Sequence, residues 1–150
     1  LTVVLVTIIG FVVWHRMPAA SFKLAAAMAH VNTNIPTPIS GYKIGPITST
    51  QNTVTTTIQS ASNSSKKYTV TEQASNQPYA SLAASAATGA SGNPAQVQTV
   101  QDHDKTYVLS QDNNKSTAAC TKGTDTVSVE TIDLNVAQLL DAAKNACKSS

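Results

Sequence analysis

The strongest constraint on this chain is its first segment, residues 1–14, which is almost entirely apolar (LTVVLVTIIGFVVW). The residues after it are mostly Ser, Thr, Ala, Asn and Gln with scattered charges. A helix that crosses a bilayer needs about 20 apolar residues, since each adds about 1.5 Å across a hydrocarbon core about 30 Å thick. Because the segment is shorter and is not preceded by Met, we expect either a fragment that begins inside a membrane helix or a mature chain whose leader was cut.

The segment ends in Trp14 and is followed by His15 and Arg16, a sequence typical of the interfacial end of a membrane span. A signal peptide would have a basic region before the apolar core and a small-residue cleavage site after it, and this sequence shows neither. A buried helix of a water-soluble core is the remaining alternative. The residues predicted to anchor the chain in a membrane or a filament core are Leu1, Val4, Leu5, Ile8, Ile9, Phe11, Val12 and Trp14.

Composition limits the possible partners. The 150 residues suffice for one domain, and the formal charge of +2 comes from dispersed Lys and Arg. A nucleic-acid surface would concentrate these residues on one face, so we expect no nucleic acid partner. Charged residues make up 12% of the chain, about half the usual share, and such a surface suits an exterior compartment. The expected partners are membrane lipid or neighbouring apolar helices, with a protein partner or self-assembly also possible.

Two cysteines, Cys120 and Cys147, lie in the polar part of the chain. Outside the cytoplasm such a pair predicts a disulfide, whereas two unpaired thiols are the alternative. Closing a loop of about 27 residues would stabilise the fold by about 3 kcal/mol in the chain-entropy model. The separation is too wide for a CxxC redox pair, and the sequence shows no Cys/His cluster for zinc.

The periodicity of the chain predicts an α+β fold. Residues 19–31 are Ala-rich and predict a helix with a narrow apolar stripe at Phe22, Ala25, Ala26 and Ala29. Pro36 and Pro38 then enforce an extended link. The predicted organisation is a membrane-spanning or filament-core helix at 1–17, a juxtamembrane helix and Pro-containing linker at 18–40, and an extracytoplasmic α+β domain at 41–150.

From residue 41 the apolar period becomes two, which predicts a curved antiparallel sheet of about five to six strands. Val54, Thr56 and Ile58 alternate with threonines, and Tyr68 and Val70 begin a returning strand. Further strands are predicted around 97–100, 107–109, 117–120 and 126–129, with turns at 102–105 and 122–125, a weak helix at 79–87 and a loop at 89–94.

The C-terminal segment predicts an amphipathic helix packed on the sheet. Asn135 and Gln138 have the spacing of a capping box, and the helix should run to about Ala146. One face should carry the apolar residues Val136, Leu139, Leu140, Ala143 and Cys147. This face would bring Cys147 toward Cys120, so a disulfide would join helix to sheet.

Four short segments occur in a recognisable order: 17–25 (MPAASFKLA), 36–42 (PTPISGY), 68–76 (YTVTEQASN) and 133–140 (DLNVAQLL). Their order resembles a family of single-span proteins of ultrasmall episymbiotic bacteria. The family is a domain of unknown function, and the resemblance implies a curved antiparallel sheet with helices, similar to lipoprotein-carrier-like half-barrels. It implies no catalytic residues.

No pattern of reactive side chains predicts catalysis. The Asp102-His103-Asp104 run fits a solvated hairpin turn better than a cation site, and the carboxylates Glu72, Glu130, Asp133 and Asp141 show no readable pairing. No Gly-x-Ser-x-Gly elbow occurs. The threonines of 53–57 are interpreted as an ordinary edge strand rather than an ice- or polysaccharide-binding face. We therefore expect no enzyme activity, no catalytic residues, no cofactor and no metal.

Two functions remain open from the sequence. In the first, a single-pass membrane protein carries a non-enzymatic extracytoplasmic domain with a binding or structural role at the cell envelope. In the second, the chain is a pilin-like structural subunit of an extracellular filament, whose apolar helix packs in the filament core. Type IV pilins usually carry Glu at the fifth mature position, where this chain has Leu5, so the first function is favoured.

Overall fold

The computed structural model describes residues 18–32, 34–74, 96–112 and 114–148. Two helices and seven strands lie within these ranges. Their bounds are α1 (Pro18–Ala29), β1 (Tyr42–Ser49), β2 (Thr53–Ser60), β3 (Lys67–Gln73), β4 (Gln96–Asp102), β5 (Lys105–Asp112), β6 (Lys115–Lys122), β7 (Asp125–Thr131) and α2 (Val136–Ala146). The predicted anchor at 1–17, the weak helix at 79–87 and the loop at 89–94 lie outside the described residues.

The strands form one curved antiparallel sheet in the order β1-β2-β3-β7-β6-β5-β4. Two meanders, β1 to β3 and β4 to β7, are joined where β3 pairs with β7. The α+β class is as predicted, but the expected count of about five to six strands is too low, since the sheet has seven. The strand predicted at 97–100 is β4, an outermost strand that is present although its sequence (QVQTVQD) is mostly polar and exposed.

The sheet buries one of its two faces. In β2 the side chains of Val54, Thr56, Ile58 and Ser60 are buried and alternate with half-buried neighbours, because successive strand residues point to opposite sides. Both helices pack on this buried face, which we call the inner face. Helix α1 shares a cluster with Val54, whereas α2 shares the larger cluster that contains Ile58.

Helix α1 buries its small-residue stripe against the sheet. Phe22, Ala25, Ala26 and Ala29 are buried, as the sequence predicted. The helix ends two residues earlier than expected because His30 adopts a left-handed conformation (φ 58°), and the Val31 N–H then donates to the Ala26 carbonyl. The predicted juxtamembrane helix therefore packs on the sheet domain.

Helix α2 confirms the predicted cap and extent. Asn135 is the N-cap, its side chain accepts from the Gln138 N–H at 2.9 Å, and the Gln138 side chain accepts from the Asn135 N–H at 3.2 Å. Leu139, Ala143 and Cys147 are buried as predicted. Val136 is 58% exposed, so its predicted place on the buried face is wrong: it is the first helical residue, and the buried face of α2 begins at Leu139.

Strand β1 is an edge strand with a local irregularity. The register with β2 shifts between Ile44 and Ile47, which flank Gly45 and Pro46. Pro46 cannot donate to a ladder, and proline is tolerated at an edge or a bulge. A Cβ on Gly45 would lie 3.0 Å from the Thr57 carbonyl oxygen, so glycine allows β1 to approach β2 closely.

Candidate functional site

The two cysteines meet beneath α2. Their sulfurs lie at disulfide distance, with Cα atoms 6.4 Å apart, which is within the range that a disulfide spans. Cys120 comes from β6 and Cys147 from the end of α2, and both are buried. The Lys105 ammonium donates to the Cys147 carbonyl. The pair therefore joins the C-terminal helix to the centre of the sheet, in the arrangement that the sequence predicted.

A cleft of about 510 Å³ opens beside this junction. One wall is the β4–β5 hairpin at residues 102–105. The other wall carries Asp141 and Lys144 of α2 together with Lys148, which follows the helix. Asp102 accepts from Lys144 at 2.9 Å and from His103 at 2.9 Å. The hydrogen bond from Lys144, and then that from His103, holds the pKa of Asp102 below its usual value. The cleft thus presents both signs of charge.

A second polar cluster is buried at the C-terminal end of β6, two residues beyond Cys120. Glu72 of β3, Lys122 of β6 and Asp125 of β7 are 2%, 2% and 4% exposed. Lys122 Nζ lies 3.3 Å from Glu72 Oε2 and donates to the Asn34 carbonyl at 2.9 Å. Asp125 Oδ2 accepts from the Asn32 N–H at 2.6 Å. A buried charge costs free energy unless it is paired. Of the polar sites in the described fold, this end of the inner face therefore needs the most compensation from ion pairs and hydrogen bonds.

Burial dominates the electrostatics of this cluster. Desolvation raises the pKa of Glu72 from 4.5 to about 7, although the charge and hydrogen bond of Lys122 favour the ionised form. Asp125 opposes ionisation of Glu72 as a hydrogen-bonded neighbour and as a second negative charge. Among the described residues, Glu72 Oε1 and Thr56 Oγ1 are buried without a hydrogen-bond partner. The Glu72 carboxyl therefore changes between its protonated and ionised forms near neutral pH.

This cluster was not predicted, because Lys122 and Asp125 lie in a run of sequence that is typical of a turn. They are the last residue of β6 and the first of β7, and they form the closing pair of the hairpin around Gly123 (φ 61°). The alternation of each strand contained the signal: Cys120 and Val127 point inward, and Lys122 and Asp125 stand two positions away on the same face.

The remaining predicted carboxylates and His103 do not converge. The His103 side chain is 90% exposed in a hairpin turn, as expected for a solvated position. Glu130 pairs with Lys115 at 2.7 Å on the opposite, open face of the sheet. Asp133 accepts from the Lys67 N–H at 3.0 Å, and Asp141 lines the cleft beside α2. Within the described ranges, no group of three or more His, Cys, Asp or Glu residues is arranged to hold a metal ion.

Of the threonines of 53–57, Thr53, Thr55 and Thr57 lie on the open face, whereas Thr56 is buried on the inner face. β2 sits between β1 and β3, so the interpretation as an edge strand is wrong. Thr55 pairs with Thr71 of β3, their hydroxyls are 3.3 Å apart, and Thr71 in turn pairs with Ser128 of β7. Because β2, β3 and β7 lie side by side, their hydroxyls form a row on the open face. The sequence of a single strand could not reveal this row.

Comparison with known proteins gives no relative: no family model, no curated protein and no solved structure matches this chain. Among the helices of the described residues, none is long and apolar enough to cross a membrane. The predicted anchor residues Leu1 to Trp14 precede the described part of the chain.

Proposed function

We propose that this chain is a non-enzymatic extracytoplasmic domain, held at a membrane by its apolar N-terminal segment, with a binding or structural role at the cell envelope. The observation that carries the proposal is the buried Cys120–Cys147 pair at disulfide distance. Disulfides persist in oxidising compartments, whereas cytosolic thiols are kept reduced. A pair that joins helix to sheet inside the main core is typical of a structural disulfide and favours an exterior location.

The position of α1 supports a short tether. Trp14 is separated from Pro18 by three residues, and α1 is packed on the sheet through Phe22. A chain extends at most about 3.6 Å per residue, so a membrane anchor at residues 1–14 would hold the domain within roughly 15 Å of its end. The domain would then act next to the bilayer rather than at the end of a long stalk.

A binding role would use the periphery of the domain. On the inner face of the described sheet, α1, α2 and their apolar clusters fill the space that a half-barrel would offer to a ligand. The cleft of about 510 Å³ between the β4–β5 hairpin and α2 is open and carries Asp and Lys side chains on both walls. Its mixed charge suits a polar partner, such as a loop of another envelope protein.

The location is tested by the redox state of the cysteines in native cells. Cells are quenched with acid, free thiols are blocked, disulfides are reduced, and the released thiols are labelled with a maleimide of high mass. We expect two labels per chain, both lost when reductant precedes the blocking step. A cytosolic protein with free cysteines serves as the control. A chain whose cysteines are blocked at the first step would contradict an exterior location.

A filament subunit is the second candidate, because one arrangement favours it. The helix that follows the apolar segment lies directly on an antiparallel sheet, and a cysteine pair closes the C-terminal region. This order resembles type IV pilins, in which the apolar part of the first helix packs in the filament core. Electron microscopy of native cell surfaces with gold-labelled antibody separates the two functions: label along filaments supports the pilin, and label spread over the envelope supports the membrane-held domain.

A further inference from the structure

The buried charges at the end of β6 are not balanced. Glu72 and Asp125 supply two carboxyls, and Lys122 supplies one ammonium. When every group is ionised, the cluster holds a net charge of one negative unit out of water. A buried excess charge costs far more than a pair, and buried groups usually avoid this cost by binding a proton. The cluster is electrically balanced when one proton is bound.

Among the described residues, no charged group other than Lys122 and Asp125 faces Glu72 from the elements packed around it. β2 contains no ionisable side chain, and Thr56 contributes an unpartnered hydroxyl. The ionisable residues of α1 and its end, Lys23 and His30, are exposed. Within the described fold, the charge that Glu72 meets therefore comes from Lys122 and Asp125 alone, so the state of the cluster follows the proton on Glu72.

The same cluster holds the segment between α1 and β1. The Asp125 carboxylate accepts from the Asn32 N–H, and the Lys122 ammonium donates to the Asn34 carbonyl, at 2.6 and 2.9 Å. Both contacts are to the backbone, across about 90 residues of sequence (93 and 88). Asn32 lies three residues after the end of α1. The two charged side chains thus fix the C-terminal end of α1 to the central strands.

We propose that Glu72, Lys122 and Asp125 form a proton-operated latch on the α1–β1 link. With Glu72 protonated, Lys122 and Asp125 are a balanced pair, and each holds a backbone group of the link. With Glu72 ionised, Lys122 is shared between two carboxylates, the buried charge is unbalanced, and the link opens to admit water. The end of α1 is then released from the sheet. This inference does not depend on whether residues 1–14 lie in a membrane or a filament.

The experiment is hydrogen exchange measured by mass spectrometry on the full chain in detergent micelles, from pH 5 to pH 8. Exchange is corrected for the intrinsic chemical rate, so it reports the opening equilibrium of each peptide. In peptides that cover residues 28–40, we expect opening to rise by up to about tenfold per pH unit below pH 7 and to level off above it. Peptides from β7 should stay far better protected than the link at every pH, because they exchange only when the whole chain unfolds.

Two variants assign the effect. Glu72→Gln removes the titrating group while keeping its shape, and it should leave opening of the link independent of pH. Asp125→Asn can still accept from the Asn32 N–H but removes the charge that opposes ionisation of Glu72, so the rise should move to lower pH. Glu130→Gln, a carboxyl on the open face, is the matched control and should follow the unmodified chain.

Three results would overturn the latch. The first is a link that opens equally at all pH values in the unmodified chain. The second is a Glu72→Gln variant that keeps the full pH dependence. The third is a link that opens no more often than β7 at any pH, because the chain would then open only by unfolding as a whole. If Glu72→Gln does not fold, the direction of the shift in Asp125→Asn decides the proposal by itself.

Discussion

Removing the Cys120–Cys147 bridge is the perturbation whose magnitude the structure defines best. Both cysteines are buried. Two alanines close to them in the chain, Ala118 of β6 and Ala146 of α2, are buried as well. The double change Cys120→Ala with Cys147→Ala therefore removes the bridge without burying a new polar group. A matched Cys120→Ser with Cys147→Ser variant would bury two hydroxyls. Comparing the two double variants separates the loss of the bridge from the cost of burying unpartnered hydroxyls.

The size of the effect follows from the loop that the bridge closes. For a sequence separation of 27 residues, the chain-entropy model gives about 3.5 kcal/mol at 25 °C. Loss of two buried sulfur atoms adds about 1 kcal/mol or more, since each is comparable to a methylene group. The double-alanine variant should thus lose about 4 to 5 kcal/mol of unfolding free energy. The double-serine variant should lose about 1 to 3 kcal/mol more for each hydroxyl left unpartnered.

The assay is urea denaturation of the full chain in detergent, followed by the far-ultraviolet circular dichroism of the sheet, with and without reductant. Reductant should lower the midpoint of the unmodified chain and leave the double-alanine variant unchanged. A marked change in slope would show that the denatured state has altered as well. Equal midpoints for the unmodified chain with and without reductant would refute the reasoning, because the sulfurs would then contribute nothing as a bridge.

Three further predictions concern other elements. Phe22→Ala should cost about 3 to 5 kcal/mol, since Phe22 is 1% exposed between α1 and the sheet, and a loss below 1 kcal/mol in urea denaturation would show that α1 is not docked. Asn135→Ala should cost about 1 kcal/mol through loss of the capping box, visible as a lower melting temperature, and an unchanged melting temperature would contradict it. Because burial raises the pKa of Glu72 from 4.5 to about 7, its contribution to stability is fully present below pH 4.5 and is lost as pH rises through 7, so the unfolding free energy should fall by about 3 kcal/mol over that range. Glu72→Gln should abolish this part of the decline, and an identical pH profile in the variant would contradict it.

Local patterns predicted the elements well. The alternation of Val54, Thr56 and Ile58 predicted β2 and its buried face, and the Asn135–Gln138 pair predicted the start of α2. These features depend on neighbours within a few residues, so sequence contains them. The edge position assigned to the threonines of β2 failed because the position of a strand in a sheet depends on partners far along the chain.

The buried charges show a different limit. Lys122 and Asp125 occur in a Lys-Gly-Thr-Asp run that is typical of a solvated turn. Their burial depends on the link after α1, which covers the hairpin through Asn32 and Asn34, 93 and 88 residues away. A turn motif specifies backbone geometry, but it does not specify what will pack over it.

The sequence by itself determined the apolar segment at 1–14, the change of period from helix to strand, the cap of α2 and the inward direction of both cysteines. Each of these follows from the identity and spacing of nearby residues. Only the tertiary structure decided the strand order, the docking of α1 on the sheet and the enclosure of two carboxyls with one ammonium. Those features depend on which distant segments exclude water from one another, and solvent exclusion is a property of the assembled fold.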